Sequence, residues 1–393
     1  MKKTLKQIHI PLLGKIIIAI ILGIACSYVF PVSIVRIFVT FNGLFSGFLG
    51  FILPFLIIAL VAPGIFELKN KAGKLLLITA AIAYLSTWLA GALSYLTCDL
   101  TYPSILTYGG QNVDGLEESS QIYAEYVKIP IPPVMDITSS LVLAFVLGLT
   151  LSRIKGDYCR HALYEFREVI MMVITKVIIP LLPLFIFGIF LKIADDGQAA
   201  STIALFVKVI IVIFILHIFW LLLQYCIAGA IARKNPFKAL VRMLPAYVTA
   251  LGTQSSAATI PVTLQRAKAN GIKDTVADFV IPLCATIHLS GSCLKIVACA
   301  FAVLYMQGVT LPFTDFLIFI CMLSITMVAA PGVPGGAIMA ALGPLSEYLG
   351  FTPPMQALMI ALYIAMDSFG TACNVTGDGA IAMIINRLNR NND

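Results

Sequence analysis

Residues Met366–Met383 read MDSFGTACNVTGDGAIAM, preceded by the apolar run MQALMIALYIA and closing into AIAMII. Within this stretch Asp367, Thr371, Asn374 and Asp378 stand at i, i+4, i+7 and i+11. At 100° per residue, eleven steps return to within about 20° of the start, so the four share one stripe of a helix. An aspartate at the centre of a membrane helix costs on the order of 2.5–3.5 kcal/mol. Two on one face therefore require a polar interior. The Val375-Thr376-Gly377 step is expected to loosen the helix and free carbonyls as cation ligands. Carboxylate, amide and hydroxyl oxygens with carbonyls suit a hard cation such as Na⁺, and an ammonium group suits a carboxylate equally well. Packing of the stripe as hydrogen-bonded glue between helices is the structural alternative.

The rest of the chain supports a membrane setting. Of 393 residues, 60% are hydrophobic and only 11% charged, against about 45–50% and about 25% in soluble domains. The class is an all-α polytopic membrane protein; long unbroken apolar runs exclude the alternating pattern of a β-barrel. MKKTLKQ ahead of the first run has no small-x-small cleavage site, so that run reads as an uncleaved helix. The nine cysteines are scattered without metal-ligand spacing and read as small packing residues.

The net charge of +7 is an orientation signal and not a nucleic-acid surface. Apolar runs lie at about 11–31, 43–67, 75–98, 137–153, 168–192 and 202–231. With the N-terminus in the cytoplasm and one crossing per run, the basic clusters around Lys2, Lys69, Arg153 and Arg233 fall inside. The acidic loop 99–136 falls outside. This is the positive-inside asymmetry, and both termini are expected to be cytoplasmic.

After Arg242 the apolar segments are interrupted by LGTQSSAATIP (251–261) and AAPGVPGGAI (329–338). Such breaks are tolerated in a membrane only where protein or a watery cavity surrounds them, and paired interrupted segments point to a transporter's binding site. We read two re-entrant hairpins, at about 240–270 and 312–349. Each is followed by a full helix, at about 273–307 and 353–388. His288-Leu-Ser-Gly-Ser292 echoes Asn374-Val-Thr-Gly-Asp378, as an inverted repeat would.

At these motifs the sequence resembles the dicarboxylate/amino acid:cation symporter family, the glutamate-transporter group. The resemblance rests on QSSAATIPVT, on PGVPGG and on the Asp367–Asp378 pattern, and is strong over about 240–390. It implies eight transmembrane helices plus two hairpins, a homotrimer, and an elevator in a bacterial inner membrane. Helices about 11–67 and 137–192 would form the scaffold within residues 1–235. Those at 75–98 and 202–231 would join a transport core at 236–393. By position, Asp367 would hold the substrate's amino group and Asn374 its carboxylate. Ser255, Ser256, Ser292, Gly370 and Thr371 would line the pocket, closed by Val333. Asn374 and Asp378 would bind one Na⁺ with the Cys284 carbonyl, and Thr286, Val328 and Ala330 a second.

Several positions depart from the family. Acidic-substrate members place an arginine where Gly370 stands, or one where Gln254 stands. A second substrate carboxylate would thus lack its bidentate partner, which implies a neutral amino acid of the serine, threonine or alanine kind. The alternative is an acidic amino acid or C4-dicarboxylate, with Lys295, on the His288, Ser292, Lys295 stripe, compensating. The family's Asn-Met-Asp-Gly-Thr is replaced by His288-Leu289-Ser290-Gly291-Ser292, so an aspartate that helps bind a third Na⁺ is missing. Tyr84, Ser86 and Thr87 in the third helix remain candidate oxygens, with His288 and Ser290 beside them. Fewer than three Na⁺ per cycle are expected. His288 is either a proton carrier or a satisfied structural histidine. A channel-like anion pathway is a rival from another class. No nucleophile, acid or metal constellation stands at useful spacing, so an enzyme is not expected.

Overall fold

The computed structural model describes residues 12–70, 74–109, 124–151, 153–154, 157–195, 197, 199–328, 330 and 335–389. The tip residue Val333, most of PGVPGG, the N-terminal lysines and the centre of the acidic loop lie outside them. Among the described residues all regular structure is helical.

The first half follows the apolar runs. It comprises α1 (Leu12–Ser27), α2 (Val32–Asn70), α3 (Lys74–Ile105), α4 (Ile137–Leu151), α5 (Tyr158–Val173), α6 (Ile179–Asp195) and α7 (Ala199–Ala232). Helices α5 and α6 are one span of 38 residues joined by a π-helical stretch, Ile174–Ile178. The expected start of the second helix, 43, is too late by eleven residues. The segment VSIVRIFVTFNG ahead of it is already helical despite Arg36 and Asn42, because Arg36 reaches out to the Ala124 carbonyl (2.7 Å) and over the Tyr126 ring. A charged residue near a span's end is tolerated when its head finds such partners.

In the second half, α8 (Pro236–Thr253) and α9 (Ser256–Ala269) make the first hairpin. Asn235 caps α8, its side chain accepting from the Lys238 amide at 3.0 Å, with Pro236 following, where its missing N–H costs nothing. The hairpin turns on two residues. Gln254 is in the left-handed region at φ 53°, and Ser255 then caps α9 by accepting from the Ala258 amide. Next come α10 (Asp274–Ile287) and α11 (Ser290–Met306), then α12 (Phe313–Val328) and α13 (Gly336–Leu349) of the second hairpin, and finally α14 (Pro353–Ala365) and α15 (Asp367–Asn389).

Two expected helices are therefore broken. The one at 273–307 is interrupted at His288-Leu289, and the last bends by 62° between α14 and α15. The bend falls at Met366, immediately before Asp367. The expected loosening at Val375-Thr376-Gly377 does not occur: α15 runs through it unbroken, since its neighbours bury that turn completely and leave it no room to unwind. The echo between 288–292 and 374–378 accordingly joins a helix break to a continuous helix.

Among the described residues five helices, α2, α3, α5–α6, α7 and α10–α11, are long and apolar enough to cross a membrane, the bent pair α14–α15 is a sixth, and α1, α4 and α12 are shorter apolar helices. The chain is thus an all-helical integral membrane protein. In α10–α11, 94% of the most apolar stretch is buried, against 33% in α3, which puts the broken helix at the centre. Helix α15 packs on α7, α8, α9, α10 and α11, while α3 lies on α11 and α12. The helices α1, α2, α4, α5 and α6 pack chiefly on one another.

Candidate functional site

The break in α10–α11 fixes what α15 does. A helix N-terminus leaves amides with no partner inside the helix, and Leu289 at the cap of α11 offers no side-chain acceptor. Asn374 supplies it from α15. Its Oδ1 accepts from the Gly291 amide at 2.8 Å and the Ser292 amide at 3.2 Å, and its Nδ2 donates to Ser292 Oγ at 3.0 Å. Tyr363 adds its hydroxyl, donating to the same Oγ at 3.3 Å. This cross-helix cap needs the two helices in backbone contact. A Cβ at Gly291 would lie 2.6 Å from the Cys373 Cβ and 2.8 Å from the Gly370 carbonyl oxygen.

One turn below, Asp378 meets His288 at the break, Oδ1 to Nδ1 at 2.8 Å, with both side chains buried. With the carboxylate ionised, Nδ1 carries the hydrogen and Nε2 accepts. The Ser86 hydroxyl lies 3.0 Å from Nε2 and itself receives a hydrogen from Gln224 Nε2 at 2.9 Å, so the serine donates to the ring. Gln224 Nε2 is also 3.4 Å from Ser290 Oγ. Among the described residues the Gln224 Oε1, Thr87 Oγ1 and Thr376 Oγ1 oxygens are buried with no hydrogen-bond partner, and Gln224 Oε1 would lie 2.7 Å from a Cβ at Gly377 in α15.

Two turns above the cap, Asp367 is buried and holds two groups. Its Oδ2 accepts from the Gly335 amide at 2.7 Å, which ties it to the start of α13. Its Oδ1 faces Lys295 Nζ at 3.4 Å. Lys295 is fully buried; its ammonium also reaches the Tyr363 carbonyl at 3.3 Å and lies 3.3 Å from the Tyr363 ring centroid, a cation–π contact. A Cβ built on Gly370 would be 3.0 Å from that Nζ. The lysine therefore fills the space beside the position where acidic-substrate members carry arginine. Lys295, Asp367 and Asp378 are the buried amine and carboxyl side chains among the described residues.

The other sequence-selected residues fare unevenly. Thr371 donates back to its own helix at the Asp367 carbonyl (2.9 Å). Ser256 is buried at the start of α9, while the Ser255 hydroxyl is engaged in capping. Cys284 is buried and its carbonyl accepts from the His288 amide at 2.8 Å. Val328 packs against the cluster containing Cys284 and Ile287, Ala330 is buried, and the Thr286 hydroxyl turns to the Leu283 carbonyl. The Tyr84 hydroxyl donates to the Cys321 carbonyl in α12 at 3.4 Å, on a different side of α3 from Ser86. Gln224, Tyr363 and Gly335 were not anticipated. Only Gln224 carried a signal, as a lone amide in the apolar run LLLQYC.

Oxygen donors, one carboxylate and the unpartnered buried Oε1 of Gln224 in its relay fit a hard monovalent cation as cargo. Buried polar pairs, two helix breaks and two hairpins inside an apolar protein are the parts of a secondary transporter's site. The sequence profile of the sodium:dicarboxylate symporter family matches residues 12–388, and the chain belongs to that family. It is similar to a serine/threonine transporter (SstT) of Acinetobacter baumannii, 26% identical over 400 residues and 98% of each chain. The corresponding transporter of Acinetobacter baylyi is 24% identical over 407 residues, again 98% of each. An excitatory amino acid transporter of Rattus norvegicus is 27% identical over 287 residues, 70% of this chain and 52% of its own. These are transporters and not enzymes, and the chain is a membrane symporter.

Proposed function

We propose that this symporter carries a small neutral amino acid, serine-, threonine- or alanine-like, together with Na⁺, as a homotrimer working by an elevator motion of the helices around α15 against α1, α2 and α4–α6. One observation carries the substrate reading. Gly370 offers no cation, and the one lysine nearby has its ammonium on Asp367 and Tyr363. A second substrate carboxylate would find no unpaired cation there. The names of the Acinetobacter relatives agree with this reading.

Asp367 takes the substrate's ammonium, and Ser292 with Asn374 and the α11 N-terminus takes its carboxylate, where backbone amides and the helix dipole favour negative charge. We assign one Na⁺ to Asp378 and Asn374, with fewer than three Na⁺ per cycle in all. Na⁺ and substrate together complete the closed second hairpin, which couples them.

The rival reading, an acidic amino acid or C4-dicarboxylate, is favoured by the place of Lys295 Nζ beside Gly370 and by the excitatory amino acid transporter relative. Uptake into proteoliposomes decides between them. Under an inward Na⁺ gradient, labelled serine or alanine should accumulate and labelled aspartate or succinate should not. Accumulation of aspartate but not serine would overturn the substrate assignment. Uptake unchanged with choline in place of Na⁺ would overturn the coupling.

A further inference from the structure

Both oxygens of Asp367 are engaged by the chain itself, one by the Gly335 amide at the start of α13 and one by the Lys295 ammonium. The ammonium sits in a small cage. Carboxylate, the Tyr363 carbonyl and the Tyr363 ring face surround it at 3.3–3.4 Å, which is the set of groups that would receive any primary ammonium. The contacts are long for charge-assisted bonds, which run at about 2.7–2.9 Å. The lysine stem is flexible, and the Tyr363 carbonyl and ring can keep its ammonium when Asp367 turns to another. A substrate ammonium seeking Asp367 must compete with this one.

We propose that Lys295 is a positioning residue, whose ammonium stands in for the substrate's at Asp367 when the carrier is unloaded and gives way to it on loading. This rests on the reading of Asp367 as the substrate's ammonium contact. In both conditions Asp367 then has a cation on one oxygen and the Gly335 amide on the other. The second hairpin stays anchored and the core keeps the same charge at that point, so the unloaded carrier returns without a counter-transported cation. Without the lysine, an unloaded carrier would cross with a bare buried carboxylate, the costly state of a broken ion pair. A loaded carrier would not, because the substrate's own ammonium is present.

The two steps separate in proteoliposomes. Net uptake needs the unloaded return, whereas exchange of labelled for unlabelled substrate at equal Na⁺ on both sides does not. The assay compares wild type with Lys295→Met and Lys295→Gln, each checked by size-exclusion profile and thermal unfolding, using whichever of serine and aspartate the wild type carries. The expected result is net uptake at least about tenfold slower in both variants, with exchange little changed and with methylammonium inside the vesicles restoring part of the net rate. Exchange falling in parallel with net uptake, or net uptake unaltered in the folded variant or variants, overturns the proposal. A wild type that carries neither amino acid overturns instead the reading on which it rests, and aspartate transport with a split between the two rates would sink only the neutral-substrate assignment.

Discussion

Asn374 links the two broken helices, and its removal can be worked through in free energy. Asn374→Ala leaves the Gly291 and Ser292 amides at the N-terminus of α11 without their acceptor. Both residues are buried, so water does not replace it. An unsatisfied buried donor costs about 1–3 kcal/mol, which gives about 2–6 kcal/mol for the pair. Losing the Nδ2 donation to Ser292 Oγ adds about 1 kcal/mol. Asn374→Asp keeps acceptor oxygens at the same place, where the positive end of α11 favours a carboxylate. It should therefore recover most of the loss. Reversible denaturant unfolding of the purified protein in detergent measures both variants. If Asn374→Ala costs under about 1 kcal/mol, or if the Asp variant is as unstable as the Ala variant, the cross-helix cap is not what holds the break together.

Two further substitutions probe the same centre. Gly291→Ala sets a methyl group 2.6 Å from the Cys373 Cβ and 2.8 Å from the Gly370 carbonyl oxygen. Neither neighbour can rotate away, so α11 and α15 must part, at a cost of about 1–3 kcal/mol or more, seen as a lowered thermal midpoint; an unchanged midpoint would mean the helices are not in backbone contact. His288→Ala deprives Asp378 of its closest partner, a loss of about 1.5–3 kcal/mol for a hydrogen bond to a charged group. Because a cation can take the vacated place, the variant's midpoint should gain more from Na⁺ over choline than the wild type's. An equal gain in both would separate Asp378 from the Na⁺ site.

How far the sequence reached depends on whether partners lie close along the chain. The stripe Asp367, Thr371, Asn374, Asp378 follows from helical spacing alone, and the hairpins follow from polar breaks in apolar runs. Position 366 as the bend was not readable, since Val375-Thr376-Gly377 has the poorer helix formers. Burial on every side outweighed propensity there. Lys295 was marked as needing a partner, but that its partner is Asp367, 72 residues away, is a property of packing. The same holds for His288 with Asp378 and for Gln224 with Ser86, 90 and 138 residues apart. A sequence pattern indicates which side chains must be satisfied in a membrane interior and leaves open by whom.

The cap on α11 has a bearing on how the protein is made. Asn374 and Gly291 are 83 residues apart, and at about 5–20 residues per second of synthesis the asparagine emerges on the order of ten seconds after the amides it satisfies. Until then the ribosome has delivered a helix with an open polar seam and no later segment to close it. The nascent chain must hold that seam in water or against the insertion machinery during the interval. A chain stopped short of position 374 should thus remain recognisable to membrane quality control as unfinished, however many of its earlier helices have inserted.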